Sequence, residues 1–372
     1  MNIKVITKDQ YEQFIKDNEI GHNYLQSPNT SVLSNREILA GYNSEGKITH
    51  VVMVEPRPAM KFFKYGYSSA EYLSIDHEKD QDFMNDVGEW LRKNRKYILW
   101  QMESSTEDKQ YDADGNVVMG GFDNYSSYLQ KMNSVNFHYF DLGRGTNIKH
   151  QCTWQSVVDL KPDLEKLDHG QEPGVHSDVP CESYDVVASR MIANRRKYIR
   201  KAKRQGVILE ELKPSEMTVE HWHELDRMIE LAGEHHHFSD DGQNRRMKFA
   251  NAFGDQARII TIYSPEDHGV MFCGLWFFTN SSMVCYMSGF DRKYSKFNAP
   301  LVAHSYMYER AIEMGLSRYS YGGVSGYFKE DEEGFGVFAF KRGMGARVIR
   351  TFGPFNKPLN YMGKIFEKRM VK

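Results

Sequence analysis

Apolar and polar positions along the 372-residue chain change their period several times, and each change marks a predicted element. Residues 3–6 alternate as a short strand, and Thr7-Lys-Asp-Gln can cap a helix running to about Asn18. Tyr24-Leu-Gln-Ser-Pro predicts a turn and a second helix that carries Arg36. Residues 38–43 and 48–55 predict a hairpin turning at Ser44-Glu-Gly, and residues 62–73 read as aromatic-rich and irregular. Phe83, Val87, Trp90 and Leu91 recur at helical spacing within 80–96, and 97–102 reads as a buried strand. The first part is therefore β-α-β-β-α-β, a mixed α/β layer.

Residues 104–124 are polar and predict a solvated loop, followed by a helix over 125–132, a strand over 154–160 and a Pro-, Gly- and Asp-containing loop over 161–180. The stretch 189–204 predicts an amphipathic helix stopped by Gly206, with Met191, Ile192, Tyr198, Ile199 and Ala202 as its apolar positions. Further helices fall within 211–232 and at Asn244-Arg-Arg-Met-Lys-Phe, where Arg245 and Phe249 share a face at i, i+4. Strands follow at 257–263, 269–279 and 283–288. A helix over 301–314 starts just after Pro300 and ends at Gly315, and a last turn and helix occupy 353–372. A boundary near 145–155 divides the chain into residues 1–150 with about 353–372, and residues 151–352.

Composition narrows the classes. The length favours two domains, and 40% hydrophobic with 13% aromatic residues supports sizeable cores. A net charge of -2 gives no global attraction to polyanions, so any such partner must meet a local patch. That patch is 195–204, where Arg195, Arg196, Lys197, Arg200, Lys201, Lys203 and Arg204 fill seven of ten positions and no acidic residue lies within 186–209. Without intrahelical pairing the basic face points to a polyanion such as RNA. Four widely spaced cysteines without a C-x-x-C pair read as reduced thiols. The start of the chain has no apolar leader and no apolar run approaches spanning length, so a soluble cytoplasmic protein is expected. Asp112-Ala-Asp-Gly-Asn resembles the start of a calcium loop, but Val117 and Asp123 stand where glycine and glutamate belong, and the three consecutive histidines from His235 cannot all face one ion. No metal site is expected.

The densest candidate chemistry lies in 319–345. Tyr-Ser-Tyr-Gly-Gly-Val-Ser-Gly predicts a strand broken at Gly322 and Gly323, and Phe335-Gly-Val-Phe-Ala-Phe-Lys-Arg-Gly-Met-Gly predicts a short helix ending at Phe340 and Lys341. Two readings stand. Phe340-Lys341 is a core ring beside a solvated helix-end lysine, or Lys341 is a cation held over a reaction centre.

Taken together the motifs resemble the Fem family, transferases that use aminoacyl-tRNA to extend the stem peptide of peptidoglycan precursors. Tyr24-Leu-Gln-Ser-Pro is similar to the family's N-terminal Gln-Ser stretch, and Asn194-Arg-Arg-Lys-Tyr-Ile-Arg-Lys-Ala-Lys-Arg-Gln-Gly-Val to its basic helix. Arg245 with Phe249 resembles its Arg-x-x-x-Tyr pair, with phenylalanine replacing tyrosine, and Tyr286-Met-Ser-Gly resembles its sheet tyrosine. Tyr321-Gly-Gly-Val-Ser, Phe340-Lys-Arg-Gly-Met-Gly and Gly353-Pro-Phe-Asn-Lys-Pro are the most specific matches. The resemblance implies an α/β (α+β) fold of two acetyltransferase-like (GNAT-type) domains with mixed sheets flanked by helices. The first would bind precursor and be completed by the C-terminal helix, and the second would bind tRNA and catalyse. Only about fifty residues separate Arg204 from the strand at Ala257, too few for the long helical arm of some relatives.

The resemblance also implies roles. Lys341 and Phe340 would be catalytic, the lysine stabilising an oxyanion and the ring stacking on the terminal base. Arg36, Arg245, Phe249 and Tyr286 would bind the diphosphate and peptide of the precursor, and Arg195 to Arg204 the tRNA acceptor stem. The expected partners are aminoacyl-tRNA and UDP-MurNAc-pentapeptide or a lipid-linked precursor, met by a monomer without cofactor. No triad or nucleophilic cysteine is evident in the sequence. Two alternatives remain open. An acyl-CoA-dependent N-acyltransferase needs a glycine loop that Arg342-Gly-Met-Gly-Ala-Arg fails at Arg347, and a non-catalytic RNA-binding protein leaves Gly322, Gly323 and Lys341 unexplained.

Overall fold

Two mixed sheets organise the computed structural model, which describes residues 1–33, 35–145, 150–236 and 242–370. The strands up to the middle of the chain are β1 (Asn2–Ile6), β2 (Glu37–Tyr42), β3 (Ile48–Met60), β4 (Phe63–Ser68), β5 (Leu73–Ser74), β6 (Leu99–Met102) and β7 (His138–Tyr139). Those that follow are β8 (Trp154–Asp159), β9 (Ile208–Leu212), β10 (Ala257–Tyr263), β11 (Val270–Phe278), β12 (Ser282–Phe290), β13 (Arg318–Gly323), β14 (Arg347–Arg350) and β15 (Phe355–Pro358). The helices are α1 (Lys8–Asp17), α2 (Asp80–Trp90), α3 (Tyr125–Ser134), α4 (Leu164–Asp168), α5 (Tyr184–Ser189), α6 (Ala193–Arg204), α7 (Val219–His236), α8 (Gln243–Phe253), α9 (Ala299–Glu313), α10 (Phe335–Gly343) and α11 (Tyr361–Met370).

The first sheet runs β1-β2-β3-β4-β6-β15-β7 with β5 beside β3, and the second runs β14-β8-β13-β12-β11-β10-β9. All pairings are antiparallel except β4 with β6 and β12 with β13. Each parallel pair lies where a helix-bearing crossover returns the chain to its sheet. In the first sheet Leu39, Val52, Val54 and Trp100 pack on Phe83, Met84 and Val87 of α2. In the second, Trp276, Met283 and Tyr319 pack on Leu301, Met307 and Tyr308 of α9.

Several predicted elements change on folding. Arg36 lies in the segment leading into β2, not on a helix. Residues Tyr24–Gln26 and Pro28–Leu33 form two short 3-10 turns, because Asn23 caps only one turn before Pro28 restarts the chain. Residues 62–73, read as irregular, contain β4, whose Tyr65 and Tyr67 are buried. The basic stretch is two helices, α5 and α6, separated at 190–192 where Ile192 is extended. Within 353–372, β15 inserts between β6 and β7 ahead of α11.

The loop expected to be solvated is so only in its second half. Thr106, Glu107, Asp108 and Tyr111 are buried, and Tyr111 packs edge-on against Trp154 of β8 at 5.2 Å. Glu107 accepts from Arg347 (3.2 Å) and forms an ion pair with Arg318 (3.3 Å), and these arginines also hold Asp159 at 2.7 and 2.9 Å. The excursion from the first sheet is thereby tied to the second. Asp112 Oδ1 accepts the N–H groups of Asp114 and Asn116, so the turn satisfies its own carboxylate. Among the described residues no three His, Cys, Asp or Glu side chains come together as metal ligands, and no helix is long and apolar enough to cross a membrane. The side chains of His235 and His236, and all of His237, lie outside the described residues.

Candidate active site

The chain from Tyr319 to Gly345 folds as strand, glycine turn and helix. Gly322 takes φ 70° and turns β13, and a side chain on Gly323 would meet Cys152 Sγ at 2.5 Å. The turn leaves the Gly323 carbonyl facing Lys341, in the last turn of α10. Lys341 Nζ donates to that oxygen at 2.6 Å, and the side chain is only 9% exposed. The reading of a solvated helix-end lysine is therefore overturned. Burial lowers its pKa from 10.5 to about 8, against the opposing pull of Cys285 and Cys152. Among the described residues no carboxylate pairs with Lys341 and its one hydrogen bond is to Gly323 O, so it is a desolvated amine with N–H donors to spare.

Phe340 is half-buried between two cationic or polar neighbours. The His304 ring lies 5.6 Å away on one side, and the Arg195 guanidinium is 5.7 Å from the ring centroid. Arg195 reaches it because the Ile192 N–H donates to Gly343 O at 3.1 Å, which hangs the start of α6 on the end of α10. Gly345, at φ 87°, makes this approach possible, since a Cβ there would sit 3.1 Å from the Arg190 backbone. The basic helix thus begins at the candidate reaction centre. Lys197, Arg200, Lys201, Lys203 and Arg204 are exposed along it, and Arg196 is half-buried. Only Lys203 makes an ion pair among the described residues, with Glu309 at 3.3 Å.

Arg36, Phe249 and Tyr286 converge from different elements. Phe249 of α8 is buried against Phe253 (5.1 Å), Phe277 (4.9 Å) and Tyr286 (5.3 Å). A hydroxyl there would need a partner in an aromatic cluster, which accounts physically for phenylalanine at this position. Tyr24 packs edge-on against Tyr286 at 6.0 Å, and its hydroxyl lies within electrostatic reach of Tyr286, Cys152 and Arg36. Arg36 donates to Glu55 (3.2 Å) and Thr30 (2.6 Å), so it is already engaged by a carboxylate. Arg245 is exposed on the first turn of α8, one turn before Phe249. Its neighbour Arg246 is buried and pairs with Asp226.

Sequence reasoning missed two groups. Beneath Phe340, Tyr319 accepts from Trp276 Nε1 (2.8 Å) and meets His304 Nδ1 (2.6 Å), while Tyr308 donates to Met344 O (3.0 Å) and meets Tyr321 at 2.7 Å. The available signal was His304 four residues before Tyr308, together with Tyr319 and Tyr321 on one face of a strand. The second group lies at the end of β6. Buried Glu103 accepts from Tyr67 (3.2 Å) and meets His150 Nδ1 (2.9 Å), and Arg57 sits 3.3 Å over the Tyr67 ring.

The arrangement is suited to stabilising negative charge on a substrate oxygen, because a buried lysine with one hydrogen bond stands beside a half-buried ring that an arginine overlies. Two helix-flanked mixed sheets in tandem define the acetyltransferase-like class. The chain aligns with a tandem GNAT protein from the clavulanic acid biosynthesis pathway (TM-score 0.51, 9% identity, 96% of this chain and 99% of that one). A crystal structure of FemX matches with a TM-score of 0.78 at 13% identity, covering all of both chains. Aminoacyltransferase FemA of Staphylococcus aureus strain bovine RF122 / ET3-1 is 20% identical over 384 residues, covering 86% of this chain and 85% of its own. The model of the FemAB family matches residues 6–170 and 264–364, and the chain belongs to that family. It is accordingly a transferase of the aminoacyltransferase class.

Proposed function

We propose that the protein moves an amino acid from aminoacyl-tRNA to the side-chain amine of the stem peptide of a peptidoglycan precursor, forming an interpeptide bridge. The observation that carries this reading is the junction of α6 with α10. Arg195 of the basic helix lies over Phe340, beside Lys341, so a polyanion following α6 delivers its end to a desolvated cation. The precursor amine attacks the ester carbonyl carbon, a C–N bond forms, and the carbonyl electrons move to oxygen opposite Lys341. Collapse breaks the C–O bond to the tRNA ribose, and the proton lost by nitrogen passes to the leaving ribose oxygen, directly or through solvent, to give the free hydroxyl. The ester is already activated, so positioning and oxyanion stabilisation supply the rate.

The first sheet, completed by β15 and α11, binds the precursor in this reading, with Arg36, Arg245, Phe249 and Tyr286 at its contacts. The second sheet carries the tRNA face and the reacting lysine. The test is transfer from tRNA charged with labelled Ala, Ser or Gly to UDP-MurNAc-pentapeptide, followed by mass. A tRNA-dependent gain of one residue is expected, and a gain only with a lipid-linked acceptor would assign that acceptor instead. Acyl transfer from a CoA thioester without tRNA would overturn the proposal. Arg200→Glu with Lys201→Glu is expected to weaken tRNA binding by roughly tenfold or more at low salt, with a shallower salt dependence.

A further inference from the structure

His304 is 4% exposed on α9, and its hydrogen bonding fixes where its proton resides. Tyr319 is buried and has one hydroxyl hydrogen to place. Trp276 Nε1–H, at 2.8 Å, can only donate to it, so among the described residues His304 Nδ1, at 2.6 Å, is the acceptor that takes this hydrogen. An imidazole that accepts at Nδ1 carries its hydrogen on Nε2. Burial, reinforced by the charge of Lys341, lowers the pKa of His304 to about 3, which keeps the ring neutral.

Nε2 makes no hydrogen bond among the described residues. The polar atoms both sealed from solvent and unpartnered include His22 Nδ1 and Arg195 Nε but not His304 Nε2, so this nitrogen keeps an outlet. Phe272, Trp276, Tyr319 and Tyr321 are buried around the imidazole, and among the described contacting rings Phe340 is the half-open one. Phe340 is followed in the chain by Lys341, whose charge acts on the imidazole.

We infer that His304 is a catalytic residue that donates its Nε2–H to the carbonyl oxygen of the acyl donor, sharing the developing oxyanion with Lys341. This deepens the aminoacyl-transfer reading and rests on it for the identity of the oxygen. The histidine neither gains nor loses a proton during the step. It supplies a fixed dipole where the C=O electrons move onto oxygen as the C–N bond forms. A neutral donor next to a cation adds stabilisation without a second buried charge.

The test combines kinetics with a tautomer measurement on the full chain. His304→Phe is expected to lower kcat by about 100-fold with KM for aminoacyl-tRNA nearly unchanged, whereas His304→Gln, whose amide donates from the Nε2 position, should stay within about tenfold of wild type. Equal losses in both variants, or no loss in either, would overturn the assignment. Nitrogen spectra of 15N-histidine-labelled protein should show His304 protonated on Nε2 alone from pH 6 to 8, with Tyr319→Phe disturbing that preference. An Nδ1–H tautomer in the wild type would overturn the inference even where transfer proceeds normally. A wild-type protein that transfers no aminoacyl group would overturn the functional reading and the oxygen named here, while the spectra still report the donor by itself.

Discussion

Lys341 and Lys357 are both taken out of water, and they differ in what they have left over. Lys357 on β15 is 7% exposed, and Lys341 on α10 is 9% exposed. Burial lowers both from 10.5 to about 8. Lys357 donates to Asn85 Oδ1 (2.7 Å) and Val135 O (2.6 Å) and lies 5.4 Å from the Phe137 centroid, enclosed by the first core. Lys341 donates once, to Gly323 O, and opens beside a half-exposed ring. Depressed pKa and burial are shared, so neither singles out Lys341 for the proposed role. Its spare donors do.

The sharpest way to break the comparison is to remove each ammonium. Lys341→Met is expected to lower kcat by about 100- to 1000-fold with a thermal midpoint near that of wild type. Lys357→Met deprives the buried Val135 carbonyl of its ammonium donor and should cost about 1–3 kcal/mol of stability while the folded fraction keeps its kcat. Reversed outcomes would reverse the roles. A smaller effect tests the carbonyl anchor. Gly323→Ala drives a methyl against Cys152 Sγ, displacing the oxygen that orients Lys341, and should lower kcat roughly tenfold. Adding Cys152→Ala makes room and should restore most of the loss, and failure to restore it would sever the link between turn and lysine.

The smallest effect is in pH dependence. Between about 8 and 10.5 the unfolded chain holds protons on both lysines that the folded chain has released, so stability rises with pH across this window. Below about 8 both states are protonated and the cost of the buried charges is fully present. Urea unfolding of Lys357→Met should show a flatter rise over the same window than wild type. An unchanged slope would remove Lys357 as its source.

Legibility in the sequence followed the range of the interactions involved. Phe340 and Lys341 stood out because glycines punctuate both sides of them, and α9 was bounded by Pro300 and Gly315 as expected. Residues 195–204 were readable because charge without local compensation needs no tertiary knowledge. His304 was not readable. Its partner Tyr319 is fifteen residues away, and the bond that fixes its proton depends on Trp276, forty-three residues before that tyrosine. Glu103 and His150 were hidden similarly, with forty-seven residues between them. Arg36 was assigned to a helix because polar residues after Pro28 fit either period, and its engagement by Glu55 requires the β2–β3 pairing. Buried Tyr111 was lost inside a stretch whose average is polar.

The position of β15 has a consequence for how the chain is made. Among the described residues β7 pairs with β15 alone, which separates it from β6 in the first sheet. A ribosome must therefore release every strand of the second sheet before the first can close. During that interval β6 presents an open edge, and the Lys357 that will fill the first core has not yet been translated. Synthesis order and assembly order are thus opposed: the half begun first is finished last, and a premature stop before Phe355 would leave an intact second sheet attached to an unfinished first one.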